Sequence, residues 1–234
     1  MGVIGIIPAA GKAERMGGLP KFALPTPDGC LIGRMCYQMI QGGVGRLLVG
    51  TTHDNGGLVE ANVPETLATV YRVQSATMSE TVLAAARWTN EDDLIALAMP
   101  DTFFTSKYGN VFELLRERLA VHPDEMAAVA AWKIRPEQRG KLGLLDLAED
   151  GQVLAVIDKQ RDSELDEIWG AVMWRAAFWP FIQAEQPHVG YALADAVQAG
   201  ERVGAVRIEG RYFDCGTRDE YYRLCARFLD RSVS

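Results

Sequence analysis

Histidine is scarce in this chain, with three in 234 residues, and none of His53, His122 and His188 has a partner at catalytic or zinc-ligating spacing. All three read as surface residues, and no Ser-His-Asp or Cys-His arrangement is evident. The four cysteines, Cys30, Cys36, Cys215 and Cys225, form no C-x-x-C pair and no His-Cys cluster. They read as reduced, packed thiols, not as a zinc site. Long apolar runs are missing as well: Gly, Pro or charge interrupts each within about ten residues, which excludes a membrane span. No basic segment precedes the first apolar run, which is too short for a signal peptide, so a cytoplasmic location is expected. An excess of positive charge is also absent. There are 24 Lys and Arg against 31 Asp and Glu, a net charge of −7, which argues against nonspecific nucleic-acid binding. An anionic substrate would need a local cationic site. Two common nucleotide motifs are lacking, the G-x-x-x-x-G-K-[ST] loop and the G-x-G-x-x-G fingerprint.

What is present is ordinary for a globular protein, with 48% hydrophobic and 24% charged residues. The most informative stretch is Met1 to Pro25. Val3-Ile4-Gly5-Ile6-Ile7-Pro8 is apolar on both faces and reads as a short buried strand. It leads into Ala9-Ala10-Gly11-Lys12-Ala13-Glu14-Arg15-Met16-Gly17-Gly18, then Leu19-Pro20-Lys21. Small residues let backbone N–H groups approach an anion, and Arg15 and Lys21 can neutralise a polyphosphate. The other reading of this stretch is a glycine-bearing turn with two solvated cations.

Strand and helix patterns alternate from there. Helices are expected at Leu31–Gln41, Ser79–Trp88 with Ser79 as N-cap, Asn110–Val121, Ala176–Ala184, Tyr191–Ala199 and Thr217–Leu229. Strands are expected at Arg46–Thr52, Thr69–Val73, Asp93–Met99, Met126–Ile134, Ile168–Trp174, Arg202–Ile208 and Arg211–Phe213. Gly143–Leu147 and Val153–Asp158 flank Glu149-Asp150-Gly151 and read as a hairpin. The pattern predicts an α/β fold with a Rossmann-like, mostly parallel sheet, helices on both faces and a mixed C-terminal half. We read residues 1–234 as a single domain, with a nucleotide-binding half over about 1–134 and an acceptor-binding half over about 135–234. No repeat or low-complexity segment is found, and no added C-terminal repeat domain is expected.

Two acidic positions stand at strand ends. Asp101, in Met99-Pro100-Asp101-Thr102, follows the clearest buried strand, where open α/β sheets bind ligands. It is either a Mg²⁺ ligand beside a triphosphate or an ordinary turn-starting Asp. Asp214, in Asp214-Cys215-Gly216-Thr217, either shares that metal or belongs to a turn before a helix capped by Thr217. Trp169 reads as core, although beside Gly170 it could line a pocket.

The N-terminal loop and these segments together resemble the sugar-1-phosphate nucleotidyltransferases, the NDP-sugar pyrophosphorylases of the glucose-1-phosphate thymidylyltransferase type. The resemblance rests on Gly11, Ala13, Arg15, Met16, Pro20 and Lys21, followed in order by Pro100-Asp101-Thr102, Ile157-Asp158-Lys159-Gln160, Trp169-Gly170-Ala171-Val172-Met173-Trp174 and Asp214-Cys215-Gly216-Thr217. It covers nearly the whole chain. Ala13 stands where many members carry Gly, Asp158 where Glu is usual, and Gln160 where Pro is usual; no Gly follows Gln74. The resemblance implies that Ala10, Gly11 and Lys12 contact the nucleotide. It also implies that Gln74 reads the base, with Ser79 on the nucleotide side at the start of the next helix. Arg15 and Lys21 would be catalytic and Asp101 and Asp214 would hold Mg²⁺. Lys159 would grip the acceptor's phosphate, and Asp158, Trp169 and Gly170 would contact its sugar.

The expected activity is therefore Mg²⁺-dependent joining of an NTP to a sugar 1-phosphate, with no nucleic acid or membrane as partner; a homo-oligomer is compatible with the sequence, which does not set the state. A cytidylyltransferase acting on a non-sugar phosphate or phosphonate has a similar loop and is the alternative. A related-fold glycosyltransferase usually carries D-x-D, which Asp101-Thr102-Phe103 lacks. A nucleotide-sugar sensor without turnover would not need Arg15, Lys21, Asp101 and Asp214.

Overall fold

The computed structural model describes residues 2–11 and 20–231. Strand β1 (Val3–Ala9) is buried along its whole length. A strand covered on both faces must be apolar on both, and full burial of a side chain such as Ile6 contributes about 1.5–3 kcal/mol. A small hairpin, β2 (Pro25–Thr26) and β3 (Gly29–Cys30), precedes helix α1 (Leu31–Gln41) and strand β4 (Arg46–Thr51). Next come α2 (Gly56–Glu60), β5 (Ala68–Arg72), α3 (Met78–Leu83), β6 (Leu94–Ala98), β7 (Thr102–Phe104), α4 (Val111–Val121) and β8 (Ala127–Lys133). The remainder is β9 (Leu144–Leu147), β10 (Val153–Ile157), β11 (Glu167–Arg175), α5 (Val189–Gln198), β12 (Val203–Arg207), β13 (Tyr212–Asp214) and α6 (Arg218–Arg231).

The main sheet runs β10-β9-β11-β6-β1-β4-β5, with β8 on the other edge of β11 and β12 beside β8. Strands β6, β1, β4 and β5 are parallel. Strand β11 runs antiparallel to both β6 and β8 and makes the C-terminal half mixed. This is the α/β, Rossmann-like arrangement that the sequence predicts. Helices cover both faces. Ile32, Met35 and Met39 of α1 pack with Phe112 and Leu115 of α4 on one side; Val82 of α3 packs with Ala192, Leu193 and Ala196 of α5 on the other. A third cluster, around Phe103, Phe213, Cys215 and Leu224, seats α6 on the β7–β13 pair.

Two expected helices differ. The Ala176–Ala184 segment is a 3-10 stretch over Ala176–Phe181 with Pro180 inside it, and proline there removes a donor that an α-helix needs. The helix expected from Ser79 starts earlier, at Met78, and its N-cap is Thr77, whose side chain accepts from the Glu80 N–H at 3.0 Å. No helix among the described residues is long and apolar enough to cross a membrane.

Candidate active site

From β1 the chain steps outward through β4 and β5, then crosses back to place β6 on the opposite side of β1. A crevice opens at the carboxyl ends of strands where the order reverses in this way. Counting four residues onward from the Ile6–Leu97 pair reaches Ala10 on one strand and Asp101 on the other. The cleft there has a volume of about 320 Å³ and is lined by Ala10, Gly11, Lys21, Ser75, Thr77, Thr81 and Asp101. No described atom lies within 4 Å of where a Cβ on Gly11 would stand. Lys12 and Arg15, the other loop cations of the sequence reading, lie outside the described residues.

The far wall is made by the loop before α3. Ser75 and Thr81 hydroxyls are 2.6 Å apart, the Glu80 carboxylate accepts from the Ala76 N–H at 2.7 Å, and the Thr77 hydroxyl donates to the Ala184 carbonyl at 2.5 Å. Sequence reasoning missed Ser75, Thr77 and Thr81. The Thr77-x-x-Glu80 spacing, a helix-start signature, was the signal available for them. Gln74 is exposed and does not line this cleft. Ser79 is fully buried behind it, its hydroxyl without a partner among the described residues.

The structure brings Asp101 and Asp214 together. Strand β13 pairs antiparallel with β7, setting Asp214 opposite Thr102, and the Cys215 N–H donates to the Asp101 carbonyl at 2.9 Å. Burial pushes the Asp101 carboxyl up to about 6; the negative charge of Asp214 adds to this, and Lys21 pulls the other way. The Lys21 ammonium lies 3.9 Å from Asp101 Oδ2. Two close carboxylates with one lysine leave a surplus of negative charge that a cation would relieve. That donor set suits Mg²⁺, which takes one or two carboxylates and fills its other positions with phosphate oxygens and water. No group of three or more His, Cys, Asp or Glu that could hold a metal occurs among the described residues.

Asp158 and Lys159 face different cavities. Lys159, with φ at +45° in the left-handed region that non-glycine residues rarely adopt, lines a cavity of about 250 Å³ with Asp214, Gln138, Thr217 and Glu220. Asp158 lines one of about 120 Å³ with Trp169, His188 and Tyr191. The Tyr191 hydroxyl donates to Asp158 Oδ2 at 3.1 Å, and His188 Nε2 lies 3.3 Å from Oδ1. His188 is thus no surface residue: its side chain is 16% exposed, and its Nδ1 caps α5 by accepting from the Gly190 N–H at 3.2 Å. Burial lowers its pKa, with Asp158 acting in the opposite direction. No local sequence signal marks His188 or Tyr191, since only the fold sets them against Asp158.

Trp169 and Gly170 do not share a pocket. Successive residues of β11 face opposite sides of the sheet, and the register shift between Trp169 and Ala171 puts Gly170 on the same side as Ala171. Trp169 packs with the α5 side of the sheet, whereas a Cβ on Gly170 would come 2.2 Å from the Tyr212 ring on the other side. Gly170 is glycine because Tyr212 occupies its side-chain space.

The family described as the MobA-like NTP transferase domain matches residues 5–197. No curated protein matches the chain. Among solved structures, a UDP-glucose pyrophosphorylase complexed with UDP-glucose superposes with a TM-score of 0.83 at 16% identity, covering 99% of this chain and 100% of that one. A UTP-bound UGPase from Acinetobacter baumannii gives 0.79 at 18%, covering 97% and 93%. A putative glucose-1-phosphate thymidylyltransferase from Bacillus anthracis in complex with a sucrose gives 0.78 at 15%, covering 94% and 93%. At these identities the likeness is one of fold.

Proposed function

We propose that this chain, which belongs to the family of MobA-like NTP transferase domains, joins an NTP to a sugar 1-phosphate and releases pyrophosphate. Nucleotidyl transfer is the activity of the family; the sugar phosphate is our reading of the acceptor. The observation that carries it is the meeting of Asp101 and Asp214 between two cavities, one bearing the Gly11 loop and Lys21 and the other bearing Lys159. An acceptor phosphate oxygen attacks the α-phosphorus of the NTP and forms a new P–O bond. The bond from the α-phosphorus to the bridging oxygen breaks, and pyrophosphate leaves with the electron pair. Both reactants are anionic, so positioning and charge neutralisation supply the catalysis. No general base is needed, because the attacking phosphate is already ionised.

Lys21 stabilises the α-phosphate as charge develops, and Arg15 with the Gly11 loop holds the departing phosphates. Lys159 holds the acceptor's phosphate beside Asp214. Asp101 and Asp214 hold Mg²⁺, which supplies further neutralisation of the phosphate oxygens when bound. Residues 1–134 serve the nucleotide and residues 135–234 the acceptor in this reading. The four free thiols suit a reducing, cytoplasmic setting.

Transfer to a non-sugar phosphate is the second reading. It is favoured by the lining of the cavity at Asp158, where Trp169, His188 and Tyr191 surround a carboxylate whose two oxygens already accept from His188 and Tyr191. The test is a pyrophosphate-release screen crossing the common NTPs with sugar 1-phosphates, amino-alcohol phosphates and phosphonates. Release that requires both an NTP and a phosphorylated acceptor is expected. Absence of release with every pair would sink the reading.

A further inference from the structure

The cavity at Asp158 is a recess in which the rings of Trp169, His188 and Tyr191 flank one carboxylate, with Asp158 and Tyr191 exposed at its mouth. The His188 ring centroid lies 6.0 Å from that of Trp169 and 4.9 Å from that of Tyr191, so the three rings are contiguous. Among the described residues no lysine or arginine forms an ion pair with Asp158. Its contacts are the Tyr191 hydroxyl and His188 Nε2. Because His188 Nδ1 accepts from the Gly190 N–H, the ring proton resides on Nε2 and points at Asp158; this tautomer is assigned from the hydrogen bonds. Burial lowers the His188 pKa and favours this neutral form, so the box carries a carboxylate with no cationic ion-pair partner among the described residues. Lys159, the next residue, lines the neighbouring cavity with Asp214.

Such a box serves a neutral, many-hydroxyl ring poorly. The carboxylate, imidazole and phenol are already bonded to one another, and only the indole N–H of Trp169 is buried without a partner. Each hydroxyl buried without a partner costs about 1–3 kcal/mol. An alkylammonium group has the opposite needs. Aromatic faces and one negative charge satisfy it, its C–H surface suits an apolar wall, and in its quaternary form it carries no N–H that needs an acceptor, whereas a primary ammonium turns its spare N–H groups to the open mouth of the recess. The polar order along the chain agrees: Asp158 offers a negative charge to one cavity and Lys159 a positive charge to the next. That pair complements a short zwitterion, anionic at its phosphate and cationic a few atoms away.

We propose that the Asp158–Trp169–His188–Tyr191 box binds an ammonium group carried by the phosphorylated acceptor. The inference rests on the transfer reading above and narrows its acceptor. Two sources share this chemistry, an amino-sugar 1-phosphate and an amino-alcohol phosphomonoester.

Pyrophosphate release by the full-length chain tests it, with acceptors in matched pairs. Glucosamine 1-phosphate is set against glucose 1-phosphate, and phosphocholine against its neutral carbon isostere, 3,3-dimethylbutyl phosphate. At least a tenfold higher kcat/KM is expected for the cationic member of one pair, and the pair that shows it identifies the source. Asp158→Asn should cut that preference at least tenfold. A second measurement needs no turnover: calorimetric titration with tetramethylammonium chloride should show binding to the wild type that weakens at least tenfold in Asp158→Asn and in Trp169→Leu. Equal or better use of the neutral acceptors, with no tetramethylammonium binding, would overturn the inference while leaving nucleotidyl transfer standing. Tetramethylammonium binding that depends on Asp158, with no pyrophosphate from any acceptor, would support the box and overturn the transfer reading.

Discussion

At Asp101 one carboxyl group is subject to opposing influences. Burial and the Asp214 charge raise its pKa to about 6, while Lys21, at 3.9 Å, stabilises the ionised form. In the unfolded chain the group ionises near pH 4. Between about pH 4 and 6 the folded protein therefore holds the proton that the unfolded chain has lost, and the metal-free protein loses stability as pH rises through that window. The loss is complete above the folded pKa and amounts to no more than about 3 kcal/mol. Asp101→Asn removes it. The metal-free variant should melt several degrees above metal-free wild type at pH 8, since about 1 kcal/mol moves Tm by roughly 2–4 °C at this size. At pH 3.5 the two should melt together. Turnover should fall by about a hundredfold or more, because the neutral amide no longer offsets a cation. Melting curves in chelator at the two pH values, alongside pyrophosphate release, check both statements; equal melting at pH 8 would mean that Asp101 is not under charge stress. The strand-end position of Asp101 was legible in the sequence, because an apolar run ending in Pro-Asp is a local pattern. The charge stress was not legible, because it requires Asp214, which only the β7–β13 pairing brings near.

At the scale of elements, α3 shows how a short helix start can shape a cleft. The helix spans only Met78–Leu83 and depends on its cap. Thr77 accepts from the Glu80 N–H at 3.0 Å and donates to the Ala184 carbonyl at 2.5 Å, tying the cleft wall to the segment before α5. Thr77→Ala should cost about 1–2 kcal/mol and raise KM for the NTP more than it lowers kcat, since Thr77 and its neighbours line the cleft without standing at the paired carboxylates. Thr77→Ser should restore both hydrogen bonds and most of the affinity. A Thr77→Ala variant with unchanged KM would detach this loop from nucleotide binding. The parallel core strands were legible from their apolar runs, and α1 and α4 from their helical spacing. The cap lies two residues before Ser79: Ser79 and Thr77 are both good N-caps, and the Thr77-x-x-Glu80 spacing together with the tertiary bond to Ala184 favours Thr77. The 3-10 segment at Ala176–Phe181 was read as a helix because its apolar spacing outweighed Pro180. Trp169 and Gly170 do not form one surface because successive strand residues face opposite sides of the sheet, an alternation that was legible in the sequence; what left no mark there is the irregularity that puts Gly170 on the same side as Ala171.

For the whole molecule, the question is how the last segment of the chain delivers Asp214 to a cleft begun by the first. The β7–β13 ladder is three residues long and is extended by backbone bonds from the Thr105, Lys107 and Cys215 N–H groups, and side chains add further ties. Arg135 and Gln138 are among them. Gln138 donates from Nε2 to the Tyr212 carbonyl at 3.0 Å, two residues before Asp214. Arg135 lies over the Phe213 ring at 4.6 Å and donates to Glu220 of α6 at 2.5 Å. Glu220 is 3% exposed and also accepts from Arg223 at 2.8 Å. A buried ion pair adds little over an apolar pair of the same volume, but removing one partner leaves a charge stranded, at a cost of about 3–5 kcal/mol. Arg223 compensates part of this, so Arg135→Met should destabilise by about 3 kcal/mol and lower Tm by roughly 6–12 °C. The double variant Arg135→Met, Glu220→Leu should regain at least half of that loss, because no charge remains buried. Thermal melts of the two variants decide the matter. A single variant that melts within about 2 °C of wild type would show that α6 and β13 are held without Arg135, by the Phe103–Phe213–Leu224 cluster, the Gln138–Tyr212 bond and the backbone pairing. A double variant less stable than the single would show that Glu220 matters through its bond to Arg223 and not through Arg135.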